Sequence, residues 1–294
     1  MRKFKGQILL VLAALIWGSA FVFQKLGAEA LPTFTFNACR FTIGAVSLIP
    51  LMWLLDGLEK KNNKILESKW TKTLFLGGTL CGLTQFSASF FQQYGLAFTT
   101  AGKAGFITQM DIAVIPFILI LLKKRVSKIT WLGVVLAMFG MYLLSVTEDF
   151  HIQFGDGLVF CCAVIYAVQI LLIDYFVDRS DAVRLAMLQF AVAAVLSSIC
   201  MFIFDSPDIE AIKACWIPIL YTGILEIAAA YTLEIFGQKS TPPAISSIIL
   251  GLEGVFAVVC GSIFLHEHMT GREGLGCVIV LIAVIVTQLD DIKK

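Results

Sequence analysis

Four ionisable side chains fall deep within stretches of apolar sequence: Asp111, Glu226 and Glu253 near the middle, and Arg40 about a third of the way in. Placing such a group at the centre of a membrane helix costs roughly 2.5 to 3.5 kcal/mol. Each is therefore expected to face a cavity or a partner, and each is a candidate functional residue. A guanidinium can hold an anionic group or tie two helices through a carboxylate, and both readings stand for Arg40. Carboxylates can bind a cation or pass a proton. With three acids against one base, Glu253, Asp111 and Glu226 are the candidates for proton coupling, Glu253 first. Beside it Gly254 has no side chain, which leaves room for a substrate.

Polar residues recur at helical spacing around these four. Gln85, Ser89 and Gln92 follow i, i+4, i+7; Trp17 and Gln24, like Ser246 and Glu253, are seven apart; Glu226 and Glu234 are eight apart. A polar stripe on an apolar helix calls for water or a ligand, the alternative being hydrogen bonds between helices. Trp17, Tyr166 and Tyr231 fall near mid-depth, although Trp and Tyr favour membrane interfaces. They read as cavity walls, suited to an apolar side chain or a cationic amine. The expected substrate cavity is thus built from Trp17, Arg40, Gln85, Ser89, Gln92, Asp111, Tyr166, Glu226, Tyr231 and Glu253.

No catalytic residue, metal or cofactor is expected. The eight cysteines show no metal-ligand spacing. His266-Glu267-His268 lacks a third ligand nearby and reads as a solvated turn. No phosphate-binding loop is present, and no nucleic-acid partner is expected. Gly78 and Gly82 form a GxxxG contact that serves equally within a monomer or between monomers; a monomer is one arrangement the sequence allows.

The elements that must position these residues are transmembrane helices. Of the 294 residues 59% are hydrophobic and 15% charged, against about 25% charged in a soluble domain, and mean hydropathy is +0.88. A bilayer core of roughly 30 Å needs about 20 apolar residues per helix. Ten such stretches appear, near 6–26, 34–55, 73–94, 102–122, 127–146, 155–174, 183–204, 214–236, 243–265 and 271–289. The run 56–71 between the second and third is polar and reads as a solvated hairpin. A cleaved signal peptide is the lesser reading of the N-terminal run. With the N-terminus inside, 17 of the 22 Lys and Arg fall at cytoplasmic ends and four at the other, Arg40 being the remaining one. That asymmetry predicts a multi-pass protein of the cell (cytoplasmic) membrane with both termini cytoplasmic.

The second half repeats the first. At an offset of 149, Gly6 meets Gly155, Trp17 meets Tyr166 and Arg40-Phe41 meets Gln189-Phe190; further on, at 142 and then 143, Gly95 meets Gly237, Thr99 meets Thr241 and Gly133 meets Gly276. A unit with an odd number of spans must insert its two copies in opposite orientations. The expected fold is an all-α polytopic membrane protein of ten transmembrane helices in two inverted five-helix repeats, residues 1–148 and 149–294, with its site near the midplane. In that frame Asp111 aligns with Gly254, next to Glu253.

These residues resemble a known family. Trp17-Gly18-Ser19-Ala20-Phe21 with Lys25 and Arg40-Phe41 is similar to the opening of EamA-type members of the drug/metabolite transporter superfamily. Pro116, Lys123-Lys124-Arg125 and Trp131-Leu132-Gly133 resemble the end of its first repeat. Leu252-Glu253-Gly254-Val255-Phe256, Gly261, Glu267 and Gly276 resemble the end of the second. The chain departs from that pattern at Gly254, where the family usually has proline, and at Lys124, where glutamate is frequent. The resemblance implies ten helices, a central cavity and movement of a small metabolite. The expected function is a secondary transporter, exporter or facilitator, moving a metabolite such as an amino acid by alternating access, with proton coupling a further expectation. The alternative is an integral-membrane enzyme acting on a lipid-linked substrate, with the buried carboxylates as acid and base; the expectation is that the chain is no enzyme.

Overall fold

The computed structural model describes residues 2–61, 70–96, 98, 106–145, 154–264 and 270–292. The described residues are helical apart from short turns and caps, with no strand among them. The helices are α1 (Arg2–Ala30), α2 (Thr33–Lys61), α3 (Lys72–Leu96), α4 (Asp111–Leu121), α5 (Lys128–Ser145), α6 (Phe154–Val177), α7 (Ala182–Phe204), the short α8 (Ile209–Ala214), α9 (Trp216–Leu220), a π-helical segment (Tyr221–Ala230), α10 (Tyr231–Gln238), α11 (Pro243–Leu250), α12 (Leu252–Phe264) and α13 (Gly271–Ile292).

Polarity is distributed inside out relative to a soluble protein. Leu121, Phe202 and Phe204 are more than two-thirds exposed, whereas Arg40, Gln85, Ser89, Gln169, Gln189, Glu226 and Glu234 are buried. An apolar exterior of this extent suits lipid, not water. Among the described residues six helices are long and apolar enough to cross a membrane: Thr33–Gly57, Lys72–Gly95, Phe154–Val177, Ala182–Phe204, Trp216–Gln238 and Pro243–Cys260. Shorter apolar helices cover Lys5–Ala20, Phe106–Leu121 and Lys128–Leu144. The chain is a multi-pass membrane protein, and the regular structure among its described residues is all helical.

Three expected boundaries change. Helix α2 continues to Lys61, well into the run read as a solvated hairpin. The stretch near 214–236 is helical but not uniformly α, because Tyr221–Ala230 is π-helical. The stretch near 243–265 is two helices separated at Gly251. Pro242 caps α11 and Pro243 occupies its first turn, where the missing N–H costs nothing. The turn His266-Glu267-His268, Thr99 and the junction between residues 148 and 149 lie outside the described residues.

Helices from the two halves of the chain interleave, and their contacts come in pairs. Helix α3 packs on α6 as α1 packs on α10; α2 packs on the π-helical segment as α3 packs on α7; α1 packs on α12 as α4 packs on α6. Two further pairings, α2 with α7 and α5 with α13, join equivalent helices. Each contact becomes its partner when the halves are overlaid at the offsets found in the sequence. Glycines make two of these crossings possible. A Cβ on Gly6 would lie 2.9 Å from the carbonyl oxygen of Gly237, and one on Gly155 would lie 2.6 Å from that of Gly95. Backbone meets backbone there, so only glycine fits. Gly78 and Gly82 face Leu188 and Val192 of α7, which puts the GxxxG contact inside the monomer.

The α2–α7 pair is tied at both ends. Asp205 Oδ2 accepts from Thr35 N at 2.8 Å and from Thr35 Oγ1 at 2.9 Å, while Asp56 Oδ2 accepts from Arg184 Nη2 at 2.5 Å. Asp56 and Asp205, like Thr35 and Arg184, are matched residues at the offset of 149.

Candidate functional site

Two interrupted helices carry the acids at the centre. A turn at Gln109-Met110 separates the helical residues 106–108 from α4, and Gly251 separates α11 from α12. At each break an i→i+3 bond replaces the α-helical pattern: Ile112 N to Gln109 O at 3.2 Å and Gly254 N to Gly251 O at 3.3 Å. The consequence is that Asp111 opens α4 and Glu253 stands second in α12. Each carboxylate therefore lies at a helix N-terminus, where backbone dipoles point their positive ends at it. Asp111 Oδ1 accepts directly from Ile112 N at 2.8 Å. The two breaks touch. A Cβ on Gly251 would come within 2.8 Å of Ile112 Cδ1 and 3.3 Å of Gln109 Oε1, so glycine is what lets them meet. Pro116 lies inside α4, which runs through it unbroken, and the irregularity lies upstream.

The third acid sits in the π-helical segment. Single π turns widen a helix and reorient its side chains, often at functional sites. Here Glu226 Oε1 accepts from Arg40 Nη1 at 3.1 Å and from Gln24 Nε2 at 2.8 Å. Arg40 Nε donates to Asn37 Oδ1 at 2.9 Å, and its guanidinium lies 5.3 Å from the ring centroid of Phe36 and 5.0 Å from that of Phe41. Arg40 thus joins α2 to the π-helical segment through an ion pair that both partners bury.

These groups line a central cavity with about 770 Å³ of space between its walls, part of it open to solvent. Of the residues expected from sequence, Trp17, Arg40, Gln85, Gln92, Asp111, Tyr166, Glu226, Tyr231 and Glu253 line it. Ser89 does not. It is fully buried and accepts from Gln85 Nε2 at 3.1 Å, supporting the wall from behind. Gln169 Nε2 in turn donates to Gln85 Oε1 at 2.8 Å, linking α6 to α3. Gln92 Nε2 donates to Thr108 Oγ1 at 3.3 Å. Trp17 packs edge-on against Tyr231, with ring centroids 4.7 Å apart, and its indole N–H donates to the carbonyl oxygen of Glu226 at 3.3 Å.

Gln24, Thr108, Gln109, Gln169, Glu234 and Ser247 complete the polar lining. Gln24 and Glu234 were visible as stripe positions, and Gln169 lies one turn after Tyr166 on the same helix face. Thr108 and Gln109 carried no periodic signal, because they precede a helix break. Two expectations need correction. Ser246 was placed on the stripe of Glu253, but it is buried and donates to Thr241 O at 3.2 Å, while Ser247 lines the cavity; the break at Gly251 shifts the helical phase between them. The space beside Gly254 is not free for substrate. A Cβ there would lie 2.7 Å from Cε and 3.1 Å from Sδ of Met141, so the thioether fills it.

Gln189, the match of Arg40, stands apart from the cavity. It is fully buried between α7 and its neighbours, and neither of its amide atoms has a hydrogen-bond partner. An unsatisfied buried polar atom costs about 1–3 kcal/mol. Replacing Gln189 with methionine, similar in length and apolar, should therefore raise the thermal midpoint in detergent and leave transport intact. A lowered midpoint would mean the amide is satisfied in the membrane. All eight cysteines are free thiols, and the described residues contain no group of side chains fit to hold a metal ion.

An apolar exterior, interrupted helices and a charged central cavity suit a membrane transporter. The profile of the EamA-like transporter family matches residues 4–146 and again 153–289. The chain belongs to the EamA-like transporter family. It is 31% identical over 290 residues to an uncharacterized transporter of Archaeoglobus fulgidus, covering 98% of this chain and 87% of that one. It is 23% identical over 278 residues to the uncharacterized transporter YoaV of Bacillus subtilis, covering 92% of each. A solved crystal structure of a protein 18% identical in sequence superimposes with a TM-score of 0.78 over 97% of this chain and 96% of the other, a likeness of fold.

Proposed function

We propose that the protein is a secondary transporter of the cell membrane that moves a small metabolite, an amino acid or a related amphipathic compound, by alternating access. The observation that carries this reading is the central cavity. Its walls come from both halves of the chain, and it concentrates the buried charges that a lipid-embedded bundle would otherwise exclude. In this reading ten spans form two inverted five-helix halves, 1–148 and 149–294, with both termini cytoplasmic. Support comes from the paired helix contacts, the twofold match of the family profile and the 17 to 4 charge asymmetry. A monomer holds the whole cavity. Reconstitution in liposomes with a panel of labelled metabolites tests the reading: solute should cross chemically unchanged, and chemical conversion without flux would overturn it.

The coupling ion in this proposal is a proton carried by Glu253, with Asp111 and Glu226 as the other candidates. Glu253 lines the cavity at the break between α11 and α12, and among the described residues no base lies within ion-pair distance of it. Glu253→Gln should keep substrate exchange and lose dependence on an imposed pH gradient. Indifference of wild-type flux to that gradient would make Glu253 a binding group in a facilitator.

A further inference from the structure

The cavity is unbalanced in two independent ways. Its lining holds four carboxylates, Asp111, Glu226, Glu234 and Glu253, and one cation, Arg40. Arg40 is committed to Glu226 at 3.1 Å. Among the described residues, Asp111, Glu234 and Glu253 have no Lys, Arg or His within ion-pair distance. The second imbalance concerns hydrogen bonds. Three lining residues carry a buried polar atom without a partner, and each such atom is an acceptor: Glu226 Oε2, Glu234 Oε2 and Gln169 Oε1. Gln169, 2% exposed, is an amide outside the acidic set. Its nitrogen is engaged by Gln85, so its free oxygen faces the same demand without contributing charge.

An ammonium group meets both deficits, since it brings one positive charge and three donors with no acceptor. A carboxylate-bearing ligand meets neither. Arg40, the natural counter-ion for a substrate carboxylate, is held by Glu226 and Asn37 and flanked by Phe36 and Phe41. Trp17 and Tyr231 add aromatic surface of the kind that attracts cations. One ammonium would still leave two of the four carboxyl groups without a cationic partner, and the acids not held by Arg40 are spread over α4, α10 and α12. From this geometry we infer that the cavity takes a small organic cation with two separated amino groups, a linear aliphatic diamine, in preference to a zwitterion, an anion or a neutral polar chain.

The inference rests on the transporter reading and puts a diamine in place of the amino acid as its substrate. Four labelled probes of one chain length separate the possibilities: 1,4-diaminobutane, 1,4-butanediol, 4-aminobutanoate and succinate. Binding to the purified full chain in detergent at neutral pH should be saturable for the diamine and weaker by about tenfold or more for the other three, as expected for loss of charge-assisted hydrogen bonds. Glu234→Gln and Asp111→Asn should each weaken diamine binding by about tenfold. Equal binding of the diol or of 4-aminobutanoate, unchanged affinity in both variants, or no diamine binding by the wild-type protein would overturn the inference. Should both variants aggregate, the ranking of probes on the wild type decides alone. Flux in liposomes separates the two readings. Transport of the zwitterion without the diamine leaves the transporter standing and removes the cation; diamine binding without flux of any probe does the reverse.

Discussion

Arg40→Ala is expected to destabilise the protein by about 3–5 kcal/mol, the cost of removing one partner of a buried ion pair, and to abolish transport. The size follows from what is left behind. Glu226 is 5% exposed and its Oε2 already lacks a partner, so without Arg40 only Gln24 bonds the carboxylate. Glu226→Leu should be nearly as damaging, because it strands the guanidinium between Phe36 and Phe41. Combining Arg40→Met with Glu226→Leu removes both charges, and an apolar pair of similar volume often restores the stability that either single change loses. Melting curves in detergent for the two singles and the double, together with flux in liposomes, separate the roles. Recovered stability without transport makes the pair part of the substrate site. Recovery of both makes it a tie between α2 and the π-helical segment and nothing more.

That pair also marks the limit of what the chain discloses by its sequence. A charge inside an apolar stretch reports its own position, because lipid leaves it no other explanation than a cavity or a partner. For that reason Arg40, Asp111, Glu226 and Glu253 were legible without coordinates, and so were Trp17 and Tyr166 at a depth where such rings are unusual. The partner is another matter. Glu226 lies 186 residues from Arg40, and nothing local to either residue connects them. Helical stripes were legible only while the helix stayed regular. Gln85 and Gln92 on uninterrupted α3 both reach the cavity, but counting seven residues back from Glu253 crosses the break at Gly251 and arrives at Ser246 where Ser247 is the lining residue. The π-helical segment hides in the same way, since an i→i+5 pattern leaves no apolar periodicity distinct from its neighbours. Gln169 was missed for a plainer reason: a single glutamine in an apolar helix is ordinary as an interhelical bond, and Gln169 makes one, to Gln85, while also facing the cavity.

The glycine crossings set the second large effect. Gly155→Val should abolish accumulation of folded protein, whereas Gly157→Val, two residues on in the same helix, should leave it near wild type. A Cβ at Gly155 would stand 2.6 Å from the carbonyl oxygen of Gly95 and 2.7 Å from the carbonyl carbon of Phe98. Both are backbone atoms, which cannot swing aside as a side chain can, so α6 would have to move away from α3 along its length. At Gly157 nothing lies within 4 Å of the added Cβ, and the residue is exposed. The comparison removes helix propensity as an explanation, because both changes place the same β-branched residue near the same helix start. The matched crossing makes the prediction stricter. A Cβ on Gly237 would lie 2.9 Å from the carbonyl oxygen of Gly6, but its nearest neighbours would be Cγ and Cδ2 of Leu10, and a leucine can change rotamer. Gly237→Ala should therefore be milder than Gly155→Ala although the two glycines serve equivalent crossings. Fluorescence-detected size exclusion of the four variants measures this order directly. Equal recovery of Gly155→Val and Gly157→Val would mean that the α3–α6 crossing is not closed by its glycines.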